Sequence, residues 1–215
     1  MERQVIAFTT EEDWLANRIH DLTSSDIPCL FGVGYQTYAD LFRHKLNGTA
    51  PKFEPTEEVL WGKAFEPVIA QEMARRNGWN IRRKDEYIRI PELRLASSFD
   101  YCIEDIENDT PIKLQPGRVY PYPYHREVAL MEVKNVNSFK YKKDWREGFD
   151  IESTPYIEIQ VQNELLVSQL PVCYICVCVG GFRGLTLRRI ANPNIQNAIL
   201  AKAKQFWQAI DQARR

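Results

Sequence analysis

Two segments that read as buried β-strands each carry a carboxylate within an otherwise apolar run. Residues 97–103 contain Asp100 and residues 128–134 contain Glu132, and both segments are rich in apolar and β-branched residues. Side chains alternate between the two faces of a strand, so Lys134 shares a face with Glu132. Two converging carboxylates raise each other's pKa, and a divalent cation resolves that conflict. Because Mg²⁺ favours carboxylate oxygens and water, the pattern predicts metal-dependent hydrolysis of a phosphodiester beside a lysine.

Other polar residues in apolar surroundings strengthen a signal that is weak alone, since Glu-x-Lys also occurs by chance as an exposed ion pair on an edge strand. Gln160-Val161-Gln162 interrupts a largely apolar helix, in which Gln160 and Glu164 share a side. Glu66 directly precedes Pro67 within another predicted helix. Proline disfavours helical geometry at the residue before it, so we expect a kink that aims Glu66 inward. The alternative is an exposed helical glutamate.

Length and composition predict one domain over residues 1–215. The chain has 215 residues, 44% of them hydrophobic, with 28 Lys+Arg against 29 Asp+Glu. This balance is mild evidence against a protein that wraps nucleic acid, although local basic patches can steer DNA. Two runs are candidates for such patches, with solvated surface as the alternative: Arg75-Arg76 with Arg82-Arg83-Lys84, and Lys140, Lys142, Lys143 and Arg146.

Apolar runs and cysteines indicate a cytosolic setting. No apolar run reaches the roughly 18 residues of a membrane span, and we expect neither a secretory leader nor a membrane partner. Five cysteines, an odd number, favour a reducing compartment. Cys173, Cys176 and Cys178 invite an iron–sulfur site, but strand alternation separates Cys173 from the other two, and free cysteine also packs well as a small apolar residue.

The element pattern favours an α/β fold. Helices are expected at residues 10–20 with Trp14 inward, from an N-cap at Ser24 or Ser25 to near Gly32, at 37–48, at 56–78, at 155–169 and at 194–214. The apolar stripe of the 56–78 helix is expected at Leu60, Ala64, Val68, Ile69 and Met73. Strands are expected at residues 85–90, 95–103, 128–134, 172–179 and 184–189. Residues 104–127 contain four prolines and are expected to form an irregular insertion.

An ordered series of motifs runs along most of the chain. It comprises Trp14-x-x-x-Arg18, Thr23-Ser24-Ser25-Asp26-Ile27, Phe31-Gly32, Tyr35-x-Thr37, Gly62-Lys63-Ala64-Phe65-Glu66-Pro67, Ser98-Phe99-Asp100, Glu132-Val133-Lys134, and Tyr156 leading into Gln160-Val161-Gln162. Together these resemble the phage lambda exonuclease type of viral recombinase, within the restriction-endonuclease-like superfamily of PD-(D/E)xK nucleases. The resemblance implies a central mixed β-sheet flanked by helices. Phe99 stands where the family name has proline, a position that does no chemistry.

The resemblance also implies roles for the polar residues. Asp100, Glu132 and the backbone carbonyl of Val133 would bind Mg²⁺, with Mn²⁺ as a substitute, and Lys134 would position or activate the attacking water. Glu66 and Gln160 would complete the catalytic set. Arg18 and Ser25, with Ser98 and the Trp14 block, would hold a terminal 5′-phosphate, because arginine forks onto phosphate. For Ser25 the alternative is a plain N-cap, which is compatible with that role.

The activity implied is digestion of linear double-stranded DNA from its 5′ ends, leaving 3′ single-stranded overhangs for phage-type recombination in a bacterial host cell. A ring-shaped homotrimer and a single-strand annealing protein are the implied partners. Three alternatives remain open: a site-specific endonuclease that reads bases through the insertion, a non-catalytic DNA-end-binding protein, and a CRISPR-associated nuclease with an iron–sulfur cluster.

Overall fold

The structure is a computed structural model that describes residues 1–8, 10–49, 54–106, 128–148 and 150–215. The helices are α1 Glu11–Arg18, α2 Tyr38–Asn47, α3 Glu57–Asn77, α4 Ser138–Asp144, α5 Pro155–Ser168 and α6 Pro193–Ala213. The strands are β1 Gln4–Ile6, β2 Leu22–Thr23, β3 Trp79–Arg83, β4 Tyr87–Ile90, β5 Leu95–Ser98, β6 Tyr101–Ile106, β7 Ala129–Val136, β8 Arg146–Glu147, β9 Ile151–Glu152, β10 Val172–Val179 and β11 Arg183–Ile190. Within the described ranges, no helix combines the length and apolar character needed to cross a bilayer.

A five-stranded mixed sheet forms the centre, in the order β11-β10-β7-β6-β3. β7 is parallel to β10 and antiparallel to β6, so it has a hydrogen-bonded neighbour on each side. In this register Glu132 pairs with Ile175, and Lys134 pairs with Val177. A strand flanked on both sides and covered on both faces is expected to be a continuous apolar run. The two charged residues of β7 therefore stand out against the rest of the strand.

Helices cover both faces of the central sheet. On one face Met73 of α3 packs in a cluster with Met131 of β7. On the other face Leu165 of α5 packs in a cluster with Leu130 of β7. Because Glu132 has the same parity along β7 as Leu130, its side chain lies on the α5 side of the sheet.

The chain changes sheets between β5 and β6, so the single strand predicted at residues 95–103 is wrong. β5 belongs to a second sheet of order β1-β4-β5-β2, whereas β6 belongs to the central sheet. The strands on the two sides of the break have different partners, which no pattern within 95–103 reveals. Phe99 is buried at the junction, and Asp100 lies directly before β6. At the break the Asp100 carbonyl accepts from the backbone N–H of Lys84 at 3.1 Å, and the Asp100 side chain lies beside β7.

The helix predicted to start at Ser24 or Ser25 is also different. A short 3₁₀ helix runs over Ile27–Phe31, with Asp26 at its N-cap position and Gly32 in the left-handed conformation at its end (φ 73°). The Ser24 hydroxyl bonds to Ser97 instead, so neither serine has the predicted capping role.

Only the C-terminal half of α3 packs on the sheet, so the predicted apolar stripe is partly wrong. Ile69 and Met73 are buried as expected, but Leu60 and Val68 are 47% and 64% exposed, and Ala64 is exposed as well. The helix is continuous through Pro67. The prediction placed the apolar stripe along the whole of α3, which requires a packing surface along its full length. The central sheet covers only the part of α3 that follows Pro67.

The remaining differences concern short elements. Strands β1, β2, β3, β8 and β9 and helix α4 were not predicted. Residues 104–106 complete β6, so the irregular insertion does not begin at 104, and residues 107–127 lie outside the described residues. The other predicted helices are confirmed to within a few residues at their ends.

Helix caps offer a matched test of the fold. The Thr37 hydroxyl caps α2 by accepting from the backbone N–H of Asp40 at 3.1 Å. Thr56 takes the same position at α3 without a side-chain cap bond to any described residue. We expect Thr37→Ala to lower the free energy of unfolding by about 1 kcal/mol, and Thr56→Ala to lower it much less, as measured by denaturant titration. Equal losses of stability in the two variants would contradict the assignment of the Thr37 hydroxyl as the cap of α2.

Candidate active site

Glu132 is the centre of a buried polar cluster on the α5 side of the central sheet. Its side chain is 3% exposed. Its Oε1 accepts a hydrogen bond from Lys134 Nζ and a second, at 2.7 Å, from Gln160 Nε2. Strand alternation supplies the first contact, because Lys134 lies two residues farther along the same face of β7. The second contact comes from α5, whose broad burial brings Gln160 over the strand.

Asp100 joins this cluster through the backbone of β7. The pairing of β6 with β7 ends at Tyr101 and Met131, so the N–H of Val133 lies beyond the ladder. Asp100 Oδ2 accepts a hydrogen bond from that N–H at 2.8 Å. The carboxylate thus takes the place of the missing strand partner, which explains why the sheet change falls at this residue.

Burial and neighbouring charges shift the pKa values of several groups in the cluster. Burial, and then the negative charge of Glu132, raise the pKa of the Asp100 carboxyl well above its ordinary value. Burial lowers the pKa of Lys134, but the charges of Glu132 and Asp100 outweigh burial and raise it above the ordinary lysine value. Burial also raises the pKa of Glu66, whose carboxyl on α3 interacts with the charges of Glu132 and Lys134. The cluster holds more negative than positive charge, which favours binding of a cation.

Glu164 is a member of this cluster that sequence reasoning did not assign to the site. It is 2% exposed, and its Oε1 accepts from Gln160 Nε2 at 2.8 Å. Burial and the charge of Glu132 raise the pKa of its carboxyl well above the ordinary value. The signal was present in the sequence, since Glu164 lies one helical turn after Gln160 on the same side of a largely apolar helix.

Arg18, Ser25 and Ser98 form a second group. The Arg18 guanidinium donates to Ser25 Oγ at 2.7 Å and to Thr23 Oγ1 at 3.2 Å. It also lies over the ring of Trp14, 4.4 Å from the ring centroid. Trp14 Nε1 in turn donates to Ser98 Oγ at 2.8 Å. We call these five residues the arginine pocket.

The arginine pocket and the carboxylate cluster are neighbours. Ser98 and Asp100 are two residues apart, so their Cα atoms lie within about 7 Å of each other. Tyr156, at the start of α5, adds a second link. Its hydroxyl pKa is raised mainly by burial, and charges from both sides, Lys134 and Asp26, act on it. Its ring packs at 4.3 Å against that of Tyr35, which is 88% exposed.

The structure thus brings the predicted site residues together in two adjacent groups. Asp100, Glu132, Lys134 and Gln160 are connected by hydrogen bonds, with Val133 between them, and Glu66 adds its charge from α3. Among the described residues, no group of three or more His, Cys, Asp or Glu side chains is arranged to hold a metal ion. Cys173 and Cys176 lie in the cores on opposite faces of the central sheet, as strand alternation predicted.

Among the comparisons with known proteins, a family model shows the family, and solved structures show the fold. Residues 13–171 match a family model described as the YqaJ-like viral recombinase domain. A search of curated proteins gave no significant sequence match.

Three solved structures are similar over nearly the whole chain. LHK-Exo in complex with dAMP has a TM-score of 0.69 at 14% identity, with 94% of each chain covered. The alkaline exonuclease LHK-Exo from Laribacter hongkongensis has a TM-score of 0.67 at 15% identity and the same coverage. A phage related exonuclease from Haemophilus somnus 129PT has a TM-score of 0.53 at 12% identity, covering 97% of this chain and 91% of that chain. The predicted restriction-endonuclease-like α/β fold is confirmed by these matches.

The raised pKa of Asp100 makes stability depend on pH. The unfolded carboxyl titrates near 3.8, and the folded one holds its proton to higher pH. Between these values the folded state binds more protons, so stability falls as the pH rises. In chelator at pH 7, Asp100→Asn should therefore raise the free energy of unfolding. Denaturant titrations at several pH values measure this gain.

The gain should vanish below about pH 4, where the carboxyl is protonated in both states. Asp144→Asn, at an exposed carboxylate on α4, is the matched control and should show no such trend. A loss of stability for Asp100→Asn at pH 7, or a gain that does not change with pH, would contradict the claim that burial and the charge of Glu132 raise the pKa of Asp100.

Proposed function

The chain belongs to the YqaJ-like viral recombinase family, and from that premise we propose that it is a metal-dependent exonuclease. It would hydrolyse linear double-stranded DNA from the 5′ end and leave 3′ single-stranded overhangs for recombination. Family and fold support a nuclease role in general terms. The observation that carries the finer proposal is the arginine pocket lying two residues of chain away from the carboxylate–lysine cluster.

Asp100 and Glu132 are the proposed protein ligands of Mg²⁺, or of Mn²⁺ in its place, together with the backbone carbonyl of Val133. The donor set fits, because all the atoms are oxygens and because burial, followed by the charge of Glu132, raises the pKa of Asp100. In an extended strand the N–H and C=O of one residue point to the same side. Since the N–H of Val133 is directed at Asp100, its carbonyl has the same side available. When bound, the cation would polarise a phosphate oxygen and favour ionisation of water.

Lys134 is the proposed partner of the attacking water and the scissile phosphate. Its raised pKa keeps it protonated at neutral pH, so it donates hydrogen bonds and stabilises negative charge that develops in the transition state. Gln160 orients Glu132 by donating to its Oε1. Glu66 approaches from α3 with a carboxyl whose pKa is raised, which suits a group that holds water near the cluster.

The arginine pocket is the proposed site for the terminal 5′-phosphate. Arg18 offers a cationic fork, and Ser25 and Ser98 offer hydroxyl donors beside it. The two-residue separation between Ser98 and Asp100 is on the scale of one nucleotide. Water would attack the next phosphorus, and the 3′ oxygen of the terminal nucleotide would leave. The remaining strand then begins with a new 5′-phosphate, which is again a ligand for the pocket.

Assembly and partners are proposed on family membership alone. They are duplex DNA ends, a ring-shaped homotrimer and a single-strand annealing protein, with the bacterial host cell as the place of action. A site-specific endonuclease would cut closed circular DNA, whereas the proposed enzyme needs an end.

We expect Asp100→Ala and Lys134→Ala each to abolish cleavage of linear duplex in Mg²⁺ while the protein stays folded. Loss of one acid–base or charge-stabilising group slows a reaction by about 10²- to 10⁴-fold. Removal of Asp100 should also weaken metal binding, measured by calorimetry, whereas removal of Lys134 should not. Lys204→Ala, at an exposed lysine on α6, is the control.

Cleavage should require Mg²⁺ or Mn²⁺, and Ca²⁺ should support DNA binding without turnover, because its coordination is larger and looser. Near-normal rates for either active-site variant would refute the roles of these residues. Full activity in chelator would refute the metal requirement.

Arg18→Ala should slow digestion of 5′-phosphorylated ends much more than digestion of 5′-hydroxyl ends. A hydrogen bond to a charged group is worth about 1.5–3 kcal/mol, which is roughly ten- to a hundred-fold in rate. Arg18→Lys should rescue only part of the loss, since lysine keeps the charge without the planar fork. Arg43→Ala, at an exposed arginine on α2, is the control. Equal slowing on both kinds of end would remove the pocket assignment and leave the nuclease assignment standing.

A further inference from the structure

A buried ion pair lies behind the arginine pocket. Lys45 of α2 is 6% exposed, Asp26 is 9% exposed, and Lys45 Nζ is 3.0 Å from Asp26 Oδ2. Lys45 Nζ also donates to the backbone carbonyls of Arg18 at 2.8 Å and of Asp21 at 2.6 Å. A lysine is almost never buried unless it is paired. Here it fixes the end of α1, from which the Arg18 side chain extends.

Asp26 in turn fixes Thr23 through hydrogen bonds. Its Oδ2 accepts from the Thr23 backbone N–H at 3.1 Å and lies 2.9 Å from the Thr23 hydroxyl. Burial would raise the pKa of Asp26, but the charges of Lys45 and Arg18 outweigh burial and lower the pKa below its ordinary value. Asp26 is therefore an ionised acceptor, and it takes the single hydroxyl proton of Thr23.

Once that proton is committed, Thr23 Oγ1 can only accept. Two groups of the pocket lie within reach of its lone pairs: Arg18 Nη2 at 3.2 Å and Ser25 Oγ at 3.0 Å. The Ser25 hydroxyl therefore donates to Thr23 in the free protein, while its lone pair accepts from Arg18. Each hydrogen bond in this chain has one permitted direction, and the direction is set by Asp26.

The buried ion pair also determines the net charge next to the arginine pocket. Asp26 alone would repel a phosphate next to Ser25. Lys45 compensates that negative charge from behind, and Arg89 does the same for the neighbouring Asp21. Arg18 then remains as the cation of this group that faces the pocket.

We propose that Thr23, held by the buried Asp26–Lys45 pair, is a positioning residue that sets the geometry of Arg18 and Ser25 and thereby the selectivity for phosphorylated 5′ ends. This inference rests on the proposed function of the arginine pocket. The ligand class is a terminal phosphate monoester. Thr23 acts through its neighbours, because it is 1% exposed and cannot itself reach DNA.

The test compares three variants within one short segment. Thr23→Val keeps the shape of the side chain and removes the hydroxyl, whereas Thr23→Ser keeps the hydroxyl. Ser24→Ala removes an adjacent buried hydroxyl that bonds to Ser97 and Asn163, away from Arg18, and so serves as the matched control. For each variant, kcat and KM are measured on linear duplexes with 5′-phosphate and with 5′-hydroxyl ends, and folding is checked by thermal unfolding.

We expect Thr23→Val to reduce the preference for phosphorylated ends about tenfold, the lower range for one hydrogen bond to a charged group. The change should appear as a higher KM on phosphorylated ends, with little change on hydroxyl ends. Thr23→Ser should restore the preference, and Ser24→Ala should keep it even where its stability is lower. If Thr23→Val does not fold, Thr23→Ala replaces it with the same expectation.

Two results would overturn the inference and are distinguishable. If the wild-type protein prefers phosphorylated ends and folded Thr23→Val keeps that preference, the positioning role is wrong and the pocket stands. If the wild-type protein shows no preference, the 5′-phosphate assignment fails, and the role of Thr23 fails with it.

Discussion

The repulsion between the half-buried carboxylate of Asp100 and the buried carboxylate of Glu132 is the constraint on which the arrangement of this protein depends. A central strand covered on both faces should be apolar, yet β7 carries Glu132 and Lys134 at its middle. The polar groups that this placement demands come from separate elements: Asp100 from the break between β5 and β6, and Gln160 and Glu164 from α5. Lys134 compensates only part of the negative charge. A fold that maintains such a conflict gives up stability, which is a familiar compromise in active sites and agrees with the proposed cation site.

The second organising feature is the short path from the arginine pocket to that cluster. Ser98 closes one strand of the second sheet, and Asp100 precedes the first residue of a strand in the central sheet. The sheet change therefore sets the spacing between the arginine pocket, proposed to bind a 5′-phosphate, and the carboxylate–lysine cluster, proposed to carry out cleavage. Behind the pocket, Lys45 and Asp26 hold the hydrogen-bond directions of Thr23, Ser25 and Arg18. Such support would matter for the proposed function, because a pocket that sets a one-nucleotide cut requires fixed distances to the cutting cluster.

Sequence patterns predicted which polar residues come together better than they predicted the local backbone geometry. The placement of Glu132 and Lys134 on one strand face, and of Gln160 and Glu164 on one helix side, followed from periodicity alone. The sheet change at Phe99–Asp100 could not be predicted from periodicity, because β5 pairs with β4 and β6 pairs with β7, and β7 is distant in the chain. For the same reason the stripe of α3 was read too far toward its N-terminus, where the sheet no longer covers Leu60. The contacts of Lys45 were not predicted, because Lys45 is 24 residues from Asp21, whose backbone carbonyl accepts a hydrogen bond from Lys45 Nζ. A lysine on an amphipathic helix carries no sign in the sequence that it is buried.

The most direct measurement is the size of the first product released from an end. Linear duplex DNA bearing a labelled 5′-terminal phosphate, and a covalently closed circle of the same sequence, are incubated with the protein in Mg²⁺, and the products are resolved by length. A pocket one nucleotide away from the cutting cluster predicts a labelled mononucleotide as the first product and an intact circle. Labelled oligonucleotides of several residues as the first product, or cleavage of the circle, would contradict an end-gripping pocket that sets the position of the cut.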